Sequence, residues 1–507
     1  MTTPTPLYIV GLGASAGGIE ALEGFFAGVP AELDAAYLIT THLSHDRHSR
    51  LTEIVGRFTP LPVVSAVDGA PIASRHVYVM PEATVMTVAD GRIKLHQQGI
   101  PRERKPVDIL LGSLAESFNA RAVGIILSGG DSDGTLGLKA VKALGGITMV
   151  QVSDGYGPAH HGMPDSAIAA GVADFCLAAD AMGPKLLALS RADALVTAAN
   201  DAGALAPVDS VMSEDRLQEI YALLRSQVGH DFSGYKSRTF IRRVLRRMQV
   251  ADAASVNDYI ALLRSDAKEV NALFRDLLIN VTSFFRDTEA FESLASTVIP
   301  KLFEDKGAAD LIRIWVPGCA TGEEVYSLAI LVLEHLDTLA APCRVQIFAT
   351  DIYDRALAVA RAARYPQALM DAVSDARRQR FFSFENDAFI VSKRVRDLCI
   401  FSPHSVIRDP PFSRIDLVSC RNLLIYFGAD AQNQVIPIFH YALRPGGFLF
   451  LGSAENVTQF GELFEATDKR HSIFRRRSDG TPNLRLPILA GRRVEAVRVN
   501  WCRGGCR

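Results

Sequence analysis

The octet Gly11-Leu12-Gly13-Ala14-Ser15-Ala16-Gly17-Gly18, set directly after the apolar run Leu7 to Val10, constrains this chain more than any other segment. A short apolar run that ends in glycines reads as a buried strand feeding a tight turn, and Ile19 to Phe26 continues it as a helix. Glycine lets the backbone take positive φ and approach a bound group, while a helix N-terminus favours negative charge. Strand, turn and helix in that order belong to a parallel α/β sheet. Such a turn suits a phosphate or a nucleophile, and the nucleophile available is Ser15.

Spelling further along decides between them. Gly11-x-Gly13-x-x-Ala16 also satisfies the dinucleotide fingerprint, which requires an acidic residue at the end of the second strand to hold a ribose. That strand, Ala35 to Thr41, ends instead in His42, which suits a general base. A third strand, Val123 to Leu127, runs into Ser128-Gly129-Gly130-Asp131-Ser132-Asp133-Gly134 and then a helix, Thr135 to Leu144. Parallel strands bring all three turns to one sheet edge, where Ser15, His42 and Asp133 can form a nucleophile, base and orienting acid. Asp131 competes with Asp133 for the last role. His45 and His48 sit in a polar loop past the strand end, and His160-His161 precedes the loop-to-helix turn Gly162-Met163-Pro164, so His42 is preferred over all four.

These residues, with Val77-Tyr78-Val79-Met80-Pro81, Pro106-Val107-Asp108-Ile109-Leu110 and Gly162-Met163-Pro164-Asp165-Ser166-Ala167-Ile168, resemble the catalytic domain of the chemotaxis protein-glutamate methylesterase family over the first ~190 residues. The resemblance implies Ser15 as nucleophile, His42 as base and Asp133 as orienting acid. Ala16 stands where that family usually has Thr, and Gly130 and Asp131 stand where it has a near-site Met.

A second strand, turn and helix begins far downstream: Leu311 to Val316, Pro317-Gly318-Cys319-Ala320-Thr321-Gly322-Glu323-Glu324, and Val325 to His335. The following strand, Val345 to Thr350, ends in Asp351, the ribose-type carboxylate missing from the first half. A Glu pair would repel a pyrophosphate and can hold an amino group, which points to S-adenosylmethionine. Ile415 to Ser419, leading into Cys420-Arg421-Asn422, and Phe448 to Leu451, entered through the turn Leu443 to Gly447, extend the same sheet. Residues 211 to 476 resemble the chemotaxis protein-glutamate methyltransferase family, carried by Asn280-Val281-Thr282-Ser283-Phe284-Phe285-Arg286, Gly318 to Glu324, Ala349-Thr350-Asp351-Ile352 and Cys420 to Phe427. That resemblance implies an S-adenosylmethionine pocket lined by Asn280, Thr282, Arg286, Glu324, Asp351, Arg421 and Asn422, with Ser405 and Val406 on the adenine side where the family often has Asn-Leu. Val325 replaces the usual Pro. A carboxylate acceptor is already ionised and a sulfonium methyl already activated, so positioning and desolvation supply the rate and no general base is expected.

Between the halves, Arg242, Arg243, Arg246 and Arg247 form a basic stripe opposite Ile241, Val244, Leu245 and Met248 at helical spacing. With the second resemblance, this stripe reads as a docking face for an acidic, glutamate-bearing receptor helix, against the alternatives of a solvated face or a nucleic-acid contact. The 54 basic and 56 acidic residues of the 507 give no global nucleic-acid signal. Seven Cys without CxxC pairs argue against a disulfide framework or a zinc site, and no metal is expected. No export signal and no apolar run of about 18 residues is found, which points to a cytoplasmic chain without membrane insertion.

The expected organisation is α/β, with two Rossmann-like doubly wound parallel-sheet domains, the second preceded by a small all-helical subdomain. The expected segments are a methylesterase domain 1–190, a linker 191–212, a helical subdomain 213–290, a methyltransferase domain 291–477 and an unassigned tail 478–507. Taken together the resemblances imply a bifunctional enzyme that adds and removes methyl esters on receptor glutamates, with glutamine deamidation a further expectation. Chemoreceptor-like proteins and receiver-type regulators are its expected partners. The alternative is a receptor-binding scaffold whose active sites have decayed.

Overall fold

A computed structural model describes residues 8–41, 50–97, 105–153, 155–201, 212–278, 282–340, 343–370, 372–385 and 388–478. The N-terminal domain is built on a seven-stranded, wholly parallel sheet: β1 (Tyr8–Ala14), β2 (Ala35–Thr41), β3 (Val63–Ser65), β4 (Val77–Val79), β7 (Ala122–Ile126), β8 (Ile147–Gln151) and β9 (Phe175–Leu177), with β5 (Thr84–Ala89) and β6 (Arg92–Gln97) forming a separate hairpin. Strand order is β3-β4-β2-β1-β7-β8-β9. Every residue of β1, β2, β7 and β8 is buried, because helices cover both faces. Phe25, Phe26, Met182 and Leu186 pack on one face, and Val107, Leu111, Leu138 and Met163 on the other. The order reverses direction between β1 and β7, and at such a switch point the turns leaving the carboxyl ends diverge and open a crevice.

The helix after β9 runs over Ala179–Asp201, so its backbone continues through the first half of the expected 191–212 linker. The reason is compositional: Ala and Leu dominate this stretch, and helix formers extend a helix already packed at Met182 and Leu186.

Four helices, Glu214–Val228, Ser237–Val250, Val256–Ser265 and Ala267–Leu277, enclose a small core around Ile220, Phe232, Phe240, Tyr259 and Leu273. Two are started by side-chain caps, Ser255 on the Asp258 N–H (3.2 Å) and Asp266 on the Lys268 N–H (2.8 Å). The C-terminal domain follows, with β10 (Leu311–Pro317), β11 (Arg344–Asp351), a three-stranded side sheet of β12 (Arg364–Pro366), β13 (Phe382–Glu385) and β14 (Ala388–Val391), then β15 (Cys399–Pro403), β16 (Ile415–Cys420), β17 (Leu443–Leu451), β18 (Phe464–Asp468) and β19 (Ile473–Arg476). The main sheet has the order β15-β11-β10-β16-β17-β19-β18, parallel from β15 to β17 and antiparallel at β19 and β18. Leu443 to Gly447, expected as a turn, belongs to β17, which tolerates Gly446 at φ +75° through a register shift against β16. Both domains therefore have the doubly wound parallel architecture expected.

The basic stripe is corrected by the structure. Arg243 and Arg246 are buried rather than solvent-facing, and what covers them is the N-terminal domain. The Arg243 guanidinium donates to the carbonyls of Lys142 (2.6 Å) and Ala143, at the C-terminal end of the helix Thr135–Ala143. Arg246 bridges Asp174 of the N-terminal domain and Asp276 of the helical subdomain, and its Nε donates to the Gly146 carbonyl (3.1 Å). Arg247 pairs with Glu269 (2.6 Å), which also accepts from the Tyr259 hydroxyl (2.8 Å). Only Arg242 of the four remains exposed. The periodicity located the cationic face correctly, but a single-chain pattern does not say which partner neutralises it.

Candidate active sites

In the N-terminal domain, β1 carries the chain out of the sheet at Ala14, and Ser15 opens the turn. The Ser15 N–H donates to the Ser128 carbonyl (2.8 Å), tying the turn to the loop after β7, and the Gly18 N–H closes the turn on the Ser15 carbonyl (2.9 Å). Gly17 takes φ +71°, which is why glycine stands there. The Ser128 hydroxyl donates to the Ala16 carbonyl (2.8 Å) and accepts from the His160 N–H (3.0 Å), so three loops share one network. Met163 is buried beside Gly129, in contact range of the same turn.

Asp133 is fully buried. Its Oδ2 accepts the Val107 N–H (3.0 Å) and its Oδ1 the Asp108 N–H (2.9 Å), both in the first turn of the helix Pro106–Phe118. Asp131 is exposed, and its Oδ1 accepts the Asp133 N–H (2.9 Å), which shapes the loop. Burial, hydrogen bonding and a helix N-terminus thus hold a carboxylate at position 133. β2 pairs with β1 through Ala14 opposite Thr41, so the strands that precede Ser15 and His42 end level with each other. His42 itself lies outside the described residues, as do His45 and His48.

The second site forms where β10, β11 and β16 end. The turn after β10 has positive φ at Gly318 (+69°), Ala320 (+46°) and Gly322 (+95°), and its Ala320 N–H donates to Asp351 Oδ2 (2.8 Å). Asp351 Oδ1 accepts the Tyr353 N–H (2.9 Å). Burial raises the Asp351 pKa, against these backbone donors. Asp351, Ser405, Val406 and Asn422 line one cavity together with Gly318 and Ala320. Asn422 is aimed by a left-handed backbone (φ +57°) whose N–H donates to buried Glu455 (2.8 Å).

Four other expected residues stand apart from the lining of that cavity. The Arg421 guanidinium lies over the rings of Phe291 and Phe450 (5.0 and 4.8 Å) and donates to the Arg286 carbonyl (2.8 Å) and to Asp287 (2.6 Å). Glu324 accepts from the Ser419 hydroxyl (2.6 Å), with its pKa raised by burial and opposed by nearby Arg421. Thr282 and Arg286 are half-buried on the segment leading to Phe291, and Asn280 lies outside the described residues.

Sequence reasoning missed His230, Tyr235, His404 and Tyr426, which also line the cavity. Tyr426 stood inside the motif Cys420 to Phe427 and could have been found there. Nothing flanking His230 signals its role, because it reaches the site from the helical subdomain. Among the described residues, His230 Nε2 and His404 Nδ1 are buried without hydrogen-bond partners. Burial, reinforced by Arg408, lowers the His230 pKa to about 4, so it is neutral at pH 7. Two orphan ring nitrogens, one carboxylate and apolar walls fit a nucleoside that carries polar groups of its own.

Fold and sites together describe two α/β halves, one with a serine turn beside a buried aspartate at its sheet edge, the other with a cavity suited to a nucleoside and a helical subdomain before it. The CheB methylesterase family model matches residues 10–186, the CheR methyltransferase all-alpha domain 215–278, and the CheR methyltransferase SAM-binding domain 280–473. A putative methyltransferase Cher3 of Pseudomonas putida is 34% identical over 257 residues, covering 49% of this chain and 91% of that protein. A chemotaxis protein methyltransferase of Listeria monocytogenes is 30% identical over 235 residues, covering 46% and 87%. An uncharacterized 104.1 kDa protein of Rhodobacter capsulatus is 35% identical over 443 residues; these are 84% of this chain, which spans only 46% of that relative's length. The crystal structure of the Thermotoga maritima CheB methylesterase catalytic domain is similar at 26% identity, covering 36% of this chain and 100% of that one, with a TM-score of 0.33. The chain belongs to the chemotaxis protein methyltransferase family, with a CheB methylesterase domain at residues 10–186 and an S-adenosylmethionine-binding domain at 280–473.

Proposed function

We propose that this chain writes and erases the same mark: its C-terminal half methylates glutamate side chains of chemoreceptor-like proteins, and its N-terminal half hydrolyses the resulting methyl esters. The observation that carries this reading is the pairing of two separate strand-end sites in one chain, a serine turn bonded to a buried-aspartate loop, and a cavity holding Asp351 and Asn422.

In the N-terminal half the Ser15 hydroxyl attacks the ester carbonyl while His42, oriented by Asp133, takes its proton and returns it to the departing methanol. Water then cleaves the acyl-serine with the roles reversed, restoring Ser15 and a glutamate. Glutamine side chains offer the same carbonyl, with ammonia leaving in place of methanol. In the C-terminal half, S-adenosylmethionine supplies a methyl group activated by its sulfonium. Asp351 would hold the ribose hydroxyls, with Ser405 and Val406 on the adenine side and Asn422 in the same lining. By the resemblance Thr282, Arg286, Glu324 and Arg421 belong to the same pocket, and Asn280 to the motif that carries Thr282 and Arg286. The acceptor carboxylate needs no base, so these residues act by orienting and by excluding water.

No helix of the described residues is long and apolar enough to cross a membrane, in keeping with a cytoplasmic site of action on receptor segments. A receiver-type regulator of the esterase is a further proposed partner. The experiment is a tritiated-methyl assay on receptor cytoplasmic fragments, following incorporation and methanol release from the same sample. Both signals support the bifunctional reading. Receptor binding with neither signal would make the chain a scaffold with decayed sites.

A further inference from the structure

Asp108 stands inside the segment Pro106 to Leu110, and its carboxylate is held as closely as that of Asp133. Its Oδ1 accepts the Gly137 N–H (2.7 Å), one of the unpaired donors in the first turn of the helix Thr135–Ala143, and the Gly134 N–H adds to the same stabilisation. Asp133, immediately ahead of that helix, accepts the Val107 and Asp108 N–H groups at the start of the helix Pro106–Phe118. Each aspartate therefore satisfies the N-terminus of the helix that belongs to the other. Gly137 makes the reciprocity possible: a Cβ there would lie 2.6 Å from Leu111 Cβ and 3.1 Å from Asp108 Cα. The second oxygen, Oδ2, is buried with no partner among the described residues.

We propose that Asp108 is the positioning residue for the esterase acid: by capping the helix that starts after Asp133, it fixes the register and aim of the Asp133 carboxylate. The inference rests on the esterase reading of Ser15, His42 and Asp133 and names a residue which that reading leaves idle. The groups facing Asp108 are the Asp133 carboxylate and the Lys105 ammonium, besides the two backbone donors. Burial first, and then Asp133, push its pKa up to about 7.

The test compares Asp108→Ala and Asp108→Asn in the full chain, measuring kcat, KM and the pH profile of methanol release, with far- and near-ultraviolet circular dichroism as the folding control. Asp108→Ala loses its cap, and a misplaced acid lowers kcat by up to about 10²-fold with KM nearly unchanged. Asp108→Asn keeps an acceptor for the Gly137 N–H and recovers most of kcat. With its pKa already raised to about 7, Asp108 carries little charge across the acidic limb, so Asp108→Asn leaves that limb in place. Wild-type kcat in both variants, or no recovery by Asn over Ala, overturns the proposal. If Asp108→Ala does not fold, a folded Asp108→Asn that loses about 10²-fold in kcat although it keeps the acceptor overturns it alone. Failure of the esterase reading is a separate result: the wild-type chain would then release no methanol.

Discussion

Asp131 and Asp133 lie two residues apart in one loop, and their surroundings assign them different work. Asp133 is buried and takes two backbone N–H groups; Asp131 is exposed and takes one, from Asp133 itself. Asp133→Asn is expected to keep the fold and lose about 10³–10⁴ in esterase kcat, because the base takes the wrong tautomer. Asp131→Asn, which retains an acceptor oxygen, is expected to stay within a few-fold of wild type in the same assay. In the other half, Asp351→Ala should weaken S-adenosylmethionine binding by about 1.5–3 kcal/mol, the range for hydrogen bonds to a charged group. That is about one to two decades in calorimetric Kd. Methanol release by that variant should be unchanged, and equal affinity would remove Asp351 from the ribose.

Turns that glycine spells are legible in a sequence; the surfaces that elements present to each other are not. Gly17, Gly318 and Gly322 all take positive φ, so the turns holding Ser15 and facing Asp351 could be located from letters alone. A Cβ on Gly322 would also lie 2.9 Å from Ala360 Cβ and 3.0 Å from the Tyr365 hydroxyl. Gly322→Ala is accordingly expected to cost roughly 1–2 kcal/mol from the left-handed backbone alone. It should lower the denaturant midpoint of the C-terminal half and weaken methyl-donor binding without touching the esterase. The helix Ser237–Val250 shows the opposite case. Its amphipathic pattern was plain, but Arg243 and Arg246 find their partners 100 and 72 residues earlier in the chain, at Ala143 and Asp174. His230 was hidden for the same reason: it reaches the cavity from the helical subdomain, on a segment with no local signature, whereas Tyr426 lay within a motif already in view.

At the scale of the whole chain, Arg246 decides whether the halves behave as one body. It is nearly fully buried between Asp174 and Asp276, and Lys142 also reaches Asp174 (3.0 Å). Arg246→Met removes the shared cation and leaves two buried carboxylates under-compensated, a loss of about 3–5 kcal/mol when no partner remains. Lys142 keeps the expected figure near the lower bound. Differential scanning calorimetry should then show two transitions where wild type shows a joint one. Burial by itself would raise the Asp174 pKa, but Arg246 and Lys142 hold it at about 2. A depressed folded pKa means this contribution is complete above the ordinary aspartate value of about 3.9 and disappears as pH falls through about 2. Sedimentation velocity between pH 5 and pH 2 should therefore find the docked form persisting to about pH 4 and expanding below it.

The helix Thr135–Ala143 begins at the esterase acid and ends under the Arg243 guanidinium of the methyltransferase half. Nine residues of helix make a strut of about 13 Å, clamped at one end by its own domain and at the other by its neighbour. One continuous helix therefore joins the loop of Asp133 to the seat of the helical subdomain, so a change in how that subdomain docks and a change at the proposed esterase acid can be sought in the same element.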